Sequence, residues 1–401
     1  MKKILKKALS FLLLTTLVFA LTGCGSSKSD TSSKSDTSSK SDTSSKSNTN
    51  EIALITDKGN IDDKSFNQGA WEGVLKFAEA NKITHQYIKP EEASDAGYLA
   101  AIDLAVTGGA KVVVTPGYLF EVPIYEAQTK YPDVKFILLD GAPHTADYKT
   151  FETKSNVASV MYSEEQSGYL AGYAAVSDGM TKLGFMGGMA VPAVQAYGYG
   201  YLQGAEAAAN TLSLADGSIS VIYHYTGDFA ETDTNKAMAK TIYQEGTEVI
   251  FACGGSVGKS VMAAAAESDK KVIGVDVDQR YDSDTVITSA MKGLGASVVT
   301  VLDSIYKSDS WATYAGTTTT FNAANEGVGL PTTVIGDDKA DAFDRFTTFN
   351  KAAYDTVFAT LVDGSVAPVR TFTVADPNGY ATSEELVANL KLKKVVVETR
   401  Q

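Results

Sequence analysis

Ile52-Ala53-Leu54-Ile55-Thr56 runs into Asp57-Lys58-Gly59-Asn60-Ile61-Asp62-Asp63-Lys64-Ser65-Phe66-Asn67, and this passage decides the fold. An unbroken apolar run of strand length reads as a strand buried on both faces. After the polar loop, Trp71, Val74, Leu75 and Ala78 recur at helical spacing within 66–80, and Ser65 stands where an N-cap belongs. Further βα units follow: a strand at 87–88, a helix over 97–106, a strand over 111–115, a helix near 122–130 and a strand over 135–139. After Ser163 come a helix to 176, strands at 183–186, 220–223, 249–252 and 272–275, and helices at 195–210, 234–244 and 259–267. This rhythm predicts an α/β protein of two doubly wound parallel-sheet lobes. Segments 156–162, 286–290 and 328–335 are expected to carry the chain between the lobes, which makes a three-crossing hinge. A ligand then belongs between the lobes, at the carboxyl ends of the strands.

Ahead of Glu51 the sequence is of another kind. Lys2, Lys3, Lys6 and Lys7 precede an apolar run over 9–21 and then Leu21-Thr22-Gly23-Cys24, the layout of a secretory leader. The run is too short to span a bilayer comfortably. The cysteine after Leu-Thr-Gly resembles a bacterial lipobox, which implies that Cys24 is acylated and becomes the first mature residue. Acyl chains hold a membrane with about 0.8 kcal/mol per buried methylene. Ser-Ser-Lys-Ser-Asp-Thr then occurs three times over 26–43, with a fourth copy ending Asn-Thr. Nothing apolar stands in the repeat to offset its conformational entropy, so it reads as a tether. The division expected is leader 1–23, lipidated cysteine and tether 24–50, one lobe from 51–160 plus about 292–330, and the other from 161–291 plus about 331–401.

Composition narrows the chemistry. Removing the four leader lysines takes the formal charge from −13 to −17, with no long basic patch, which argues against nucleic acid as a partner. Cys253, within an apolar run, reads as a small buried hydrophobe, and with Cys24 lipidated no internal disulfide is available. His85, His144 and His224 are scattered without the spacing of metal ligands, so neither a metal nor a cofactor is implied.

The expected strand ends carry Asp57, Asp140-Gly141, Thr226-Gly227-Asp228-Phe229, Gly254-Gly255 and Asp276-Val277-Asp278-Gln279. Singly these are caps or core aromatics. Together, on one edge, carboxylates for hydroxyls, rings for stacking and glycines for close backbone approach suit a polar ligand with a flat ring.

Segments 57–73, 155–174 and 227–229, and 274–279 with Thr288-Ser289-Ala290-Met291-Lys292, resemble the basic membrane protein family. These are substrate-binding lipoproteins of ABC importers, purine nucleoside receptors among them. The resemblance covers most of 51–325, with Asp63-Lys64-Ser65-Phe66-Asn67 and Gly274-Val275-Asp276-Val277-Asp278-Gln279 its most specific pieces. It implies a two-lobed periplasmic-binding-protein fold, no enzymatic activity, ABC permease and ATPase subunits as partners, and a lipid-anchored place on the extracytoplasmic face of the cell membrane. Carried over by position, Phe66 and Phe229 sandwich the base, Asn67 and Asp140 bond its edges, Asp276 and Lys292 hold the ribose hydroxyls with Asp57 supporting that side, and Gly254 and Gly255 admit the backbone.

Other readings compete. Gly254-Gly255-Ser256-Val257-Gly258-Lys259-Ser260 approaches a phosphate-cradling loop, but Cys253 stands where its first glycine is needed. Segment 57–63 resembles the calcium loop of nucleoside hydrolases, although Ile55 and Lys58 depart from that pattern and a calcium ion wants six to eight oxygens. A non-transport sensor, or a receptor for riboflavin or a sugar, would use the same fold.

Overall fold

Apolar runs that are buried on both faces become two parallel sheets, each covered by helices front and back. The computed structural model describes residues 50–335 and 341–400, and these form one compact unit. The leader, Cys24 and the repeat lie outside the described residues.

The first sheet opens with β1 (Ile52–Ile55), α1 (Phe66–Asn81), β2 (His85–Ile88), α2 (Asp95–Thr107), β3 (Val112–Pro116), α3 (Glu121–Lys130), β4 (Lys135–Leu139) and β5 (Val157–Tyr162). The chain then enters a second series: α4 (Glu164–Ser177), β6 (Lys182–Gly187), α5 (Pro192–Thr211), β7 (Ile219–Tyr225), α6 (Asp233–Gln244), β8 (Val249–Cys253), α7 (Val257–Ser268), β9 (Lys271–Asp276) and β10 (Val286–Lys292). It returns through α8 (Leu294–Tyr306) and β11 (Thr317–Phe321), then finishes with β12 (Val328–Gly329), α9 (Lys351–Val362), α10 (Ser383–Leu390) and β13 (Val395–Arg400).

The six-stranded sheet runs β11-β5-β4-β3-β1-β2, parallel throughout. The seven-stranded sheet runs β12-β10-β9-β8-β6-β7-β13, parallel except where β12 meets β10. Alternation within a strand divides the core. Ile52 and Leu54 face Val74, Phe77 and Val298 of α1 and α8, whereas Ala53 and Ile55 face Tyr98, Ile102 and Ile124 of α2 and α3.

The segments expected to cross between lobes contain strands instead: β5, β10 and β12. Their buried side chains seat them in a sheet, and the connections fall beside them, at Ser163 after β5, Gly293 after β10 and 322–327 before β12.

Helices α4 and α5 approach closely enough to exclude any side chain. A Cβ on Gly168 would lie 2.1 Å from the Tyr197 carbonyl oxygen, and one on Gly204 would lie 1.9 Å from that of Tyr169. This contact seats Tyr197 of α5 directly against the helix that carries Glu164 and Glu165.

Candidate functional site

In each sheet the chain reverses its direction of growth, between β1 and β3 in the first and between β6 and β8 in the second, where β13 later returns to the β7 edge. Loops after these strands diverge at such points and leave a crevice. Residues following β1, β3, β4, β6, β7 and β8, with the end of β9, line one shared cleft of about 970 Å³ counted with the solvent in its open mouth.

On one side, Asp57 lies just after β1 and is organised by Asn67 of α1. The Asn67 Nδ2 donates to Asp57 Oδ1 at 2.8 Å and to Asp63 Oδ2 at 2.9 Å, while Asn67 Oδ1 accepts from the Asp57 backbone N–H at 3.2 Å. Gly59 N–H adds a donor to Asp57 Oδ1 at 2.7 Å. Burial pushes the Asp57 carboxyl up to about 6 despite these donors.

Ser65 holds the N-cap position of α1 but does not cap it with its side chain. Capping falls to Asp63, which accepts from the backbone N–H groups of Ser65 (2.9 Å), Asn67 (2.9 Å) and Gln68 (3.1 Å). The Ser65 hydroxyl is thereby free to cross to the second lobe, where it donates to Asp276 Oδ2 at 2.5 Å.

On the other side stands Lys292, at the end of β10, with 3% of its side chain exposed. Its ammonium contacts Asp140 after β4, Glu164 of α4 at 3.5 Å and Asp276 at the end of β9 at 3.6 Å. It also lies 4.4 Å from the centroid of the Phe66 ring. Asp140 and Asp276 both adopt left-handed backbone, φ 56° and 65°, a conformation that aspartate tolerates better than most residues. Burial raises Asp140 to about 7 against the pull of Lys292. Burial opposes the charge on Lys292, yet the three carboxylates together hold its ammonium above the usual lysine range. Asp140 Oδ1 is buried without a hydrogen-bond partner in the described structure. Tyr197 adds its hydroxyl to Asp276 Oδ1 at 3.3 Å.

Phe66 and Phe229 both line the cleft. Phe229, in the loop after β7, rests on Gly188, where a Cβ would lie 2.4 Å from its ring. A Cβ on Gly254 would stand 2.8 Å from the Gly188 nitrogen, so Gly254 serves close backbone packing, whereas Gly255, at φ +55°, serves a left-handed turn.

The structure thus brings all nine expected site residues to one cleft but regroups them: Asn67 is bonded to Asp57, whereas Asp140 joins Lys292, Glu164 and Asp276. The cleft also holds residues that sequence reasoning missed. Glu164, in the polar run Ser163-Glu164-Glu165-Gln166-Ser167 at a helix start, reads as an ordinary first-turn acid, and Tyr197 in a Gly- and Ala-rich helix reads as core. Arg370, in an irregular stretch, donates to Glu164 Oε2 at 2.5 Å, Glu165 Oε2 at 2.7 Å and the Tyr162 carbonyl at 2.7 Å. Cys253 is buried, as its apolar run implies, and burial pushes its thiol well up.

The competing loops are committed elsewhere. Lys259 donates to the Asp62 carbonyl at 3.1 Å and the Ser260 hydroxyl bonds the Thr232 backbone, leaving neither free to cradle phosphate. Between Asp57 and Asp63 lies the Asn67 amide, a donor where a calcium site needs an oxygen.

A family profile described as Bmp, ABC transporter substrate-binding protein PnrA-like, matches residues 50–351. The chain belongs to the Bmp family. Among its Bmp relatives, the ABC transporter nucleoside-binding protein BmpA of Lactococcus lactis subsp. cremoris is 30% identical over 301 residues, covering 69% of this chain and 80% of the relative. Basic membrane protein A of Borreliella burgdorferi is 31% identical over 252 residues, covering 62% of this chain and 70% of that protein. An ABC transporter solute-binding protein from Aeropyrum pernix K1 shares the fold with TM-score 0.71 at 21% identity, over 85% of this chain and 97% of that one. One from Conexibacter woesei does so with TM-score 0.61 at 24% identity, over 80% and 99%. As a Bmp-family ABC transporter substrate-binding protein, the chain takes a small-molecule ligand and works with a membrane permease. Arg370 falls outside the segment that the Bmp profile matches.

Proposed function

We propose that this protein captures purine nucleosides in the interlobe cleft and delivers them to an ABC permease, held at the extracytoplasmic face of the membrane by acylated Cys24. The observation that carries the reading is the charge balance beside two rings. Asp57, Asp63, Asp140, Glu164 and Asp276 line the cleft against Lys58, Lys292 and Arg370, five carboxyl groups to three cationic side chains. Lys292 and Arg370 are already paired with carboxylates. Such a lining favours a neutral ligand rich in O–H and N–H donors and repels phosphate. Phe66 and Phe229 supply aromatic surface, and stacking a base on such surface is worth roughly 1–3 kcal/mol. The nucleoside-binding name of the Lactococcus relative supports the same ligand class.

Isothermal titration tests it with adenosine, guanosine, inosine, their 5′-monophosphates, riboflavin and galactose. Nucleosides should bind, and the monophosphates should bind at least about tenfold more weakly, given the acidic lining. Heat from riboflavin or galactose with none from any nucleoside would sink the assignment. For the anchor, Cys24→Ser should move the protein from the membrane fraction to the soluble one.

A further inference from the structure

The motif Gly274-Val275-Asp276-Val277-Asp278-Gln279 is only partly explained by the cleft. Asp276 faces it, whereas Gln279 is outside its lining and only 1% exposed. The Gln279 side chain nevertheless has both ends in use. Its Oε1 accepts from the Val275 N–H at 3.0 Å, and its Nε2 crosses to the first lobe, donating to the Lys64 carbonyl at 2.7 Å. Gly274 makes room for it: a Cβ there would sit 2.5 Å from Gln279 Oε1.

Lys64 lies in the loop that leads into α1, with left-handed φ 61°. A lysine in that region persists when its surroundings hold it there. Two more contacts tie the same loop to the second lobe: Lys64 Nζ to Asp282 at 3.2 Å, and Lys259 Nζ to the Asp62 carbonyl at 3.1 Å. Lys64, Asp62, Lys259, Gln279 and Asp282 all stand outside the cleft lining.

We propose that Gln279 is a positioning residue at the centre of an interlobe clasp, which sets how far the lobes lie toward closure without touching the ligand. The amide bond from the buried Gln279 carries most of it, because the half-exposed Lys64–Asp282 pair contributes little in solvent. A contact made only when the lobes are together raises the closed population, and apparent affinity scales with that population. Asp276 and Gln279 thus divide one motif between holding the ligand and holding the lobes.

The test uses the full chain with Cys24→Ser and spin labels at Glu91→Cys and Glu231→Cys. Both sites are exposed, in the loops after β2 and β7, and Cys253 is buried at 2% exposure. Electron–electron distance measurement without ligand should show the long-distance population growing roughly three- to tenfold in Gln279→Ala, the range expected for one buried hydrogen bond. An unchanged distribution overturns the proposal. Should Gln279→Ala fail to fold, the Asp282→Asn, Lys259→Met pair decides: a smaller shift in the same direction supports the clasp and none overturns it. With inosine as probe, dissociation should accelerate while association is not slowed; slowed association with unchanged dissociation overturns the clasp. Inosine that does not bind at all counts against the nucleoside reading and leaves the distance result standing.

Discussion

Asp140 and Asp276 end their strands alike: each turns left-handed at the last step, and each aims its carboxylate at Lys292 from a different sheet. The first follows β4 and the second closes β9, so one ammonium joins the two sheets through two matching turns.

Removing that ammonium should be costly. Lys292→Met leaves Asp140, Glu164 and Asp276 buried without their common partner, and breaking a buried ion pair typically costs about 3–5 kcal/mol. Urea denaturation at neutral pH should show the loss. A change below about 1 kcal/mol would mean that water already compensates the cluster.

Asp57 should make stability fall as pH rises. Its carboxyl is raised by burial from 3.8 to about 6, so the folded protein binds more protons than the unfolded chain between those values. The stabilisation is complete below the unfolded value and is lost as pH climbs through about 6. Asp57→Asn should flatten this slope and be more stable than the parent at pH 7.5, while binding nucleoside less well. Denaturation curves at pH 4.5 and 7.5 measure both claims, and parallel slopes in the two proteins would refute the assignment.

Phe229 depends on Gly188. Phe229→Ala should weaken nucleoside binding roughly five- to a hundredfold, the equivalent of one base stack. Gly188→Ala should do comparable harm, since its Cβ would enter the space of the Phe229 ring at 2.4 Å. Titration calorimetry reads both, with circular dichroism as the check on folding. Full affinity in Gly188→Ala would show that the ring can relocate at no cost.

The glycine contact between α4 and α5 predicts a stability effect remote from the cleft mouth. Gly204→Ala puts a methyl 1.9 Å from the Tyr169 carbonyl oxygen, which is backbone and has little room to yield. Overpacking of this kind costs about 1–3 kcal/mol or more, visible as a lowered Tm. An unchanged Tm would mean that the helices slide apart freely.

The sheets were legible because parallel strands buried on both faces must be written as continuous apolar runs, and β1, β3, β4 and β8 are such runs. The cleft edge was legible for a related reason: a polar residue just after such a run has few places to go except the strand end. Partnerships were not. Nothing in spacing tells that Asn67 serves Asp57 while Asp140 serves Lys292: the first pairing depends on how one loop folds back onto α1, the second on how the first sheet sits against the second. Ser65 illustrates the limit, because it occupies the cap position yet yields the capping to Asp63 and bonds Asp276 instead. Arg370 left no trace at all, as an isolated arginine in a stretch without period reads as surface.

Lys292 is the last residue of β10, one step before the chain passes at Gly293 to the helix packed on α1. A side chain rooted beside a pivot travels little when the bodies around it swing, because displacement grows with distance from the axis. For any swing of the lobes about Gly293, Lys292 is therefore the cleft residue displaced least. The rings and loop residues farther from that turn sweep through longer arcs in the same swing.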